Sequence, residues 1–154
     1  MIDALDDYRW LIGPEAERWL TELAATDGEP ADYITRLRKE LSATRVHLLV
    51  EQVALRRRAR QKFVAADRMF FTPVGLEQAT DDMVGAYKAG RYPPQETMWD
   101  LCCGIGGDLM AISARGPARG IEHDAVTALL AEANCRAVVD GNCTATKVQV
   151  RDVA

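Results

Sequence analysis

The residues that can do chemistry are concentrated in Thr97–Ala111, T-M-W-D-L-C-C-G-I-G-G-D-L-M-A. A short apolar run ends in an acid, Asp100. Four positions later comes Gly104, followed by Gly106 and Gly107. Asp108 then opens a helical pattern with Leu109, Met110 and Ile112. The order is strand, tight loop, helix. Glycine takes positive φ at little cost and lets a ligand lie against bare backbone. Such a loop carries its free N–H groups to the start of the next helix, where polar or anionic groups bind. The spacing G-x-G-G lacks the third glycine of the dinucleotide fingerprint. A carboxylate at the strand end repels a pyrophosphate and suits a cationic ligand instead. The alternative is a glycine turn that joins strand to helix and binds nothing.

A second acid stands at an equivalent place downstream. Leu109–Ala114 reads as a crossover helix, ended by Arg115-Gly116-Pro117. Ala118–Ile121 is a short second strand, and Glu122-His123-Asp124 follows. A carboxylate there accepts from both hydroxyls of a ribose. Glu122 is the better placed, and Asp124 is expected to cap the next helix. His123 has no evident partner and is not expected to be a base. Ala125–Val139 is an amphipathic helix with Val126, Leu129, Leu130 and Ala133 inward. Asp140-Gly141-Asn142 turns the chain, Lys147–Val150 is a third strand, and Arg151-Asp152-Val153 follows.

Asp100–Asp108, D-L-C-C-G-I-G-G-D, resembles motif I of class I methyltransferases that use S-adenosylmethionine (SAM). The resemblance implies that Asp100 attracts the cationic amino-acid end of SAM. Gly104, Gly106 and Gly107 allow close backbone approach, and Cys102 and Asp108 belong to the same loop. It further implies that Glu122 holds the ribose and that Asp152, which resembles motif III, accepts from the adenine amino group. No residue is identified as catalytic.

A second stretch adds to the resemblance. K-F-x-x-A-x-x-M-F-F-T from Lys62, then G-L-E-Q-A-T-D from Gly75, is similar to the bacterial methyltransferase family that carries a THUMP-like RNA-binding domain. It is more distantly similar to the trimethylguanosine synthase group. In those proteins this segment lines the methionine side of the SAM pocket. Phe71, Thr72, Gln78 and Thr80 are the pocket candidates on that basis; otherwise they cap helices and fill core. The resemblance runs from Arg56 to Ala154. It implies SAM as cofactor and RNA, a tRNA or rRNA base, as acceptor. The N/D-P-P-like motif of a fourth strand does not occur, so the expectation is a fragment that is inactive alone.

The elements that must position these residues follow from periodicity. Asp3–Ile12 places Leu5, Tyr8, Trp10 and Leu11 in helical arrangement. Gly13-Pro14 interrupts, and Pro14 suits the first turn of a new helix. Glu15–Ala25 aligns Ala16, Trp19, Leu20, Leu23 and Ala24. Asp27-Gly28-Glu29-Pro30 reads as a turn. Ala31–Leu41 repeats the pattern with Ile34, Leu37 and Leu41. Ser42 caps a helix that carries Val46, Leu49, Val50 and Val53. Phe70–Pro73 reads as extended, with Gly75 a turn. Thr80 or Gln78 starts a helix that Gly90 ends. The fold class is therefore α/β. Residues 1–90 form an all-helical domain that includes the segment before the glycine loop. Residues 91–154 form the first half of a Rossmann-like methyltransferase sheet: three parallel strands in the order 3-2-1, with strand 1 an edge.

Leu55–Lys62, L-R-R-R-A-R-Q-K, turns a basic face where the stripe had been apolar. Arg56, Arg57, Arg58, Arg60 and Lys62 either contact RNA phosphates or form a solvated face paired to acids.

Composition sets outer bounds. The chain has 154 residues, 48% hydrophobic and 27% charged, and a net charge of −4, which gives no global attraction to nucleic acid. No apolar run approaches the roughly 18 residues of a membrane span. The start M-I-D-A-L-D-D-Y lacks signal-peptide regions, so a cytoplasmic protein is expected. Cys102, Cys103, Cys135 and Cys143 have no metal-ligand spacing, and no metal is expected. Two other readings stay open: a nucleotide-binding oxidoreductase fragment, and a non-catalytic helical module that binds RNA or protein.

Overall fold

The computed structural model describes residues 4–26, 31–94, 96–138 and 146–153. The turns expected at Asp27–Pro30 and Asp140–Asn142, the end of the expected helix at Val139, and Cys143 lie outside the described residues. The chain divides into two compact units, Met1–Leu55 and Arg56–Ala154. The boundary read from periodicity lay at residue 90. The contacts instead join residues 56–90 to the unit that carries the strands.

The first unit is helical. It contains α1 (Ala4–Leu11), α2 (Pro14–Ala24), α3 (Ala31–Glu40) and most of α4 (Ala43–Ala59). Pro14 opens α2, where its missing N–H has no partner to lose. Ser42 caps α4 by accepting from the Arg45 amide at 3.3 Å. Leu11, Trp19, Leu20, Leu23, Leu37, Val46, Leu49 and Val53 form the core. Ala24, expected inward, is exposed, and Tyr8, Trp10 and Ile34 are half-buried. The buried Asp7 is paired with Arg45, Nε to Oδ1 at 3.0 Å, as a buried charge requires. The same guanidinium lies over the Trp10 ring at 4.7 Å.

The second unit carries the sheet. β1 (Met98–Asp100), β2 (Ala118–Glu122) and β3 (Lys147–Val150) are parallel and lie in the order β1-β2-β3. This is the expected 3-2-1 order. α7 (Gly107–Ser113) joins the first two strands and α8 (Ala125–Val138) the last two. Two backbone hydrogen bonds prolong the ladders past the strand ends: the Cys103 amide donates to Ile121 O and the Arg151 amide to Glu122 O, both at 3.0 Å. Asp100 and Glu122 therefore close adjacent parallel strands at their carboxyl ends. Gly120 admits the loop above it. A Cβ there would lie 2.8 Å from Cys103 Sγ and 2.9 Å from Leu109 Cδ2.

The segment before the sheet departs from expectation. Gly75 is not a turn; it lies within α5 (Pro73–Gln78). Thr72 caps that helix, accepting from the Gly75 amide at 2.9 Å, and Pro73 takes its first turn. Glycine is needed there for packing, because a Cβ would meet Ile105 Cγ2 at 2.5 Å. α6 (Asp82–Ala89) is capped by Asp81, whose Oδ1 accepts from the Val84 amide at 2.9 Å. Neither Thr80 nor Gln78 starts it. Among the described residues before Gly90 there is no strand.

Candidate functional site: the glycine loop and the strand-end acids

The loop after β1 is built by its glycines. Gly104 has φ +53° and Gly106 φ +94°, a region that side chains with a Cβ avoid. The three glycines differ in what they admit. A Cβ on Gly104 would have nothing within 4 Å, so that side of the loop is open space. A Cβ on Gly106 would touch Ala131 at 3.4 Å, and one on Gly107 would lie 2.7 Å from Thr80 O. Gly104 thus offers the open backbone, while Gly106 and Gly107 let α8 and Thr80 come close. Ile105 between them is fully buried and fixes the loop to the core.

Glu122 ties the two strand ends together. Its Oε2 accepts from the Gly104 amide at 3.1 Å, and its Oε1 accepts from the Asp124 amide at 3.0 Å. His123 Nδ1 lies 2.8 Å from Oε1, on a ring that is 82% exposed. A carboxylate offers about four lone-pair positions. Three are engaged here, and the His123 contact is the one that solvent can replace. Asp124 caps α8 as expected, accepting from the Thr127 amide at 2.7 Å and the Thr127 hydroxyl at 2.6 Å. These bonds from Thr127 hold its carboxyl below the usual range.

Asp100 lines a cleft of about 250 Å³ with Lys88, Tyr92, Trp99, Asp108 and Ile112. Burial is the main cause that raises the Asp100 carboxyl above its ordinary value. The Asp108 and Glu122 charges add to it, while the Cys102 amide and Lys88 oppose it. Opposite stands a cluster that joins two of the candidates, Thr80 and Asp108, to Lys88, which the sequence did not single out. Lys88 Nζ donates to Asp108 Oδ2 at 2.8 Å and to Thr80 Oγ1 at 3.2 Å. The Thr80 hydroxyl donates to the same Asp108 oxygen at 2.9 Å. The Asp108 bond raises the Lys88 pKa, so the ammonium form persists. Asp108 Oδ1 is buried and has no partner.

Of the other candidates, Phe71 is buried in the core, its ring 6.0 Å from that of Phe63. Thr72 caps α5, and Gln78 ends that helix on the surface. Thr80 alone of these four is bonded to the loop acid. Asp152 follows β3 and is exposed. Cys102 is exposed on the loop; Cys103 is buried, and burial pushes its thiol up to about 12. Cys103 is therefore a packing group rather than a nucleophile.

Asn134 was not expected. It is fully buried on α8. Its Oδ1 accepts from the Phe70 amide at 2.7 Å, and its Nδ2 donates to Phe70 O and Ile105 O, both at 2.9 Å. It thereby joins the segment before the sheet to the glycine loop. The available signal was a polar residue at helical spacing from Leu130 in an otherwise apolar face.

The basic stretch is largely engaged within its own unit. Arg56 is buried, donating to Met69 O at 2.9 Å and lying over the Phe70 ring at 4.9 Å. Arg60 pairs with both oxygens of Asp67. Lys62 Nζ donates to the carbonyls of Leu76, Glu77 and Ala79, closing the end of α5. Arg57 and Arg58 are exposed, Arg58 at 3.8 Å from Glu77. Among the described residues no helix is long and apolar enough to cross a membrane.

A family model described as a domain of unknown function (DUF8688) matches residues 3–59. No curated protein matches the chain. The fold is similar to the crystal structure of a putative methyltransferase from Porphyromonas gingivalis W83, with a TM-score of 0.71 and 18% sequence identity. The match covers 97% of this chain and 36% of that one, so the chain spans little more than a third of that protein's length. The shared feature is the fold: a helical part followed by a parallel sheet.

Proposed function

We propose that this chain is the cofactor-binding part of a SAM-dependent methyltransferase that acts on RNA. One observation carries the reading. The open Gly104 backbone lies between two strand-end carboxylates, Asp100 and Glu122, and its amide is bonded to the second. A cradle with an acid on each side fits a ligand with a cationic end and a ribose, and disfavours a pyrophosphate. When bound, SAM supplies a methyl group on a positively charged sulfur, open to in-line displacement. The chain's own residues bind and orient. Asp100 faces the cationic end, Gly104 provides the close approach, and Glu122 retains acceptor capacity for a ribose hydroxyl. Positioning of this kind accounts for much of the rate in a displacement. Asp152 is proposed at the adenine.

RNA as acceptor rests on the likeness of the Lys62–Asp81 stretch to RNA methyltransferases. Arg57 and Arg58 are exposed guanidinium groups of the basic stretch and are proposed to face phosphate. The proposed setting is the cytoplasm.

Isothermal titration of the protein with SAM and with NAD tests the reading. Weak SAM binding without NAD binding is expected. NAD binding alone would favour the oxidoreductase reading, and binding of neither would favour a non-catalytic module. Incubation with labelled SAM and bulk tRNA or rRNA tests the expected inactivity of the chain alone: no transfer is expected, and robust transfer would overturn it.

A further inference from the structure

The cleft beside Asp100 holds two kinds of unused bonding capacity close together. Lys88 sits on α6 with an ammonium group that has three donors. Two are directed to Asp108 Oδ2 and Thr80 Oγ1. The side chain is 46% exposed, and it lines the cleft that Asp100 lines from the β1 end. Asp100 for its part is a half-buried carboxylate bonded to the Cys102 amide at a long 3.4 Å. One wall thus presents a cation with a donor to spare, and the other an acid that is poorly satisfied. Asp108 adds a second negative charge, engaged through one oxygen only. Two acids against one lysine leave the cleft with excess negative charge, suited to a ligand end that is zwitterionic and cationic overall. Its volume of about 250 Å³ accommodates the amino-acid end of a ligand.

We propose that Lys88 recognises the α-carboxylate of the ligand's amino-acid end, with Asp100 taking its ammonium group. The assignment rests on the SAM reading and adds to it a residue that selects for an intact amino acid. Thr80 and Asp108 are positioning residues. They hold the Lys88 head at the mouth of the cleft, and the close packing of α6 on α7 fixes that placement: a Cβ on Gly85 would lie 3.3 Å from Ala111 Cβ.

The test compares two ligands on three proteins. SAM and decarboxylated SAM share the adenosine, the sulfonium and the ammonium and differ in the carboxylate. Isothermal titration of each is made with the wild type, with Lys88→Met and with Lys88→Arg. In the wild type, loss of the ligand's carboxylate is expected to weaken binding roughly tenfold or more, the effect of a charge-assisted bond. In Lys88→Met the two ligands should bind within about twofold of each other, and Lys88→Arg should restore part of the difference. Each protein is compared with itself, so a change in its stability or in Asp108 cancels. Full discrimination retained by Lys88→Met would overturn the assignment while leaving the SAM reading intact. A wild type that binds neither ligand would overturn both. Binding of free methionine as tight as that of SAM would point to an amino-acid site and overturn the SAM reading alone.

Discussion

The Gly104 amide donates to Glu122 Oε2 at 3.1 Å, so the backbone turn after β1 is held by the side chain that ends β2. Loop shape, and on the proposed reading ribose binding, therefore depend on one carboxylate. Glu122→Ala leaves the amides of Gly104 and Asp124 without their acceptor. The expected loss of stability is about 1–3 kcal/mol, read by urea unfolding. SAM affinity should fall as well, read by calorimetry. Unchanged affinity would separate Glu122 from the cofactor.

His123 shares Glu122 Oε1 but stands 82% exposed. A ribose that bonds through both hydroxyls must displace one present partner, and the solvent-facing imidazole is the easiest to move. His123→Ala is accordingly expected to leave SAM affinity within about threefold of wild type, or to tighten it. A large loss would make His123 a binding residue.

Asn134 satisfies three buried backbone groups, at Phe70 and Ile105. Asn134→Leu fills the same space and satisfies none. Each orphaned buried group costs about 1–3 kcal/mol, so this variant should be among the most destabilised in the chain. Hydrogen exchange should show faster opening of the Phe70 amide. A variant that unfolds at the wild-type urea midpoint would show that water takes over these bonds.

Asn134 also shows where sequence legibility stopped. The glycine loop, its flanking acids and β3 were readable because they are local: a strand end, positive-φ residues and a cap are decided within a few positions. Asp124 and Ser42 were read as caps for the same reason. What escaped was decided across the chain. Gly75 looked like a turn, yet it is glycine because Ile105, thirty positions on, packs against it. Thr80 and Asp81 are both capping types and stand side by side, and nothing local separates them. Thr80 was drawn instead to Asp108 on α7. The arginines of α4 looked like one basic face. Arg56 is buried against Phe70 and Arg60 pairs with Asp67, partners that helical spacing does not disclose. Packing divides the chain after Leu55, within α4, where the helical period gives no sign of it.

The loop glycines should respond differently to alanine. At Gly107 a Cβ would lie 2.7 Å from Thr80 O, and backbone gives way less easily than a flexible side chain. At Gly104 the space is open, and the cost is the left-handed backbone alone, about 1–2 kcal/mol. Gly107→Ala is expected to lower the melting temperature more than Gly104→Ala. Gly104→Ala should weaken SAM more than its stability loss suggests, because the new methyl group occupies the open side of the cradle. The reverse order in thermal melts would mean that α7 shifts to accommodate the methyl group.

Asp100 gives the sharpest test, since stability and binding should move in opposite directions. Its carboxyl pKa is raised in the folded chain, chiefly by burial. Between the unfolded value of about 3.9 and the raised folded value, the native state binds more protons than the unfolded one. Stability attributable to this group therefore falls as pH rises through that window and stays low above it. Asp100→Asn removes the charge with little change of shape and can still accept from the Cys102 amide. At pH 7 the variant should melt higher than wild type. The gain should shrink on acidification and vanish below the unfolded value, where the wild-type group is protonated in both states. The same variant should bind SAM roughly tenfold more weakly or worse, as the ligand's ammonium loses its counter-charge. Natural active sites often show this exchange of stability for function. Calorimetric melts across pH, with SAM titrations at pH 7, check both halves. A variant that melts lower than wild type at pH 7 would mean that the carboxylate is structural, and the case for Asp100 as a cofactor ligand would fail.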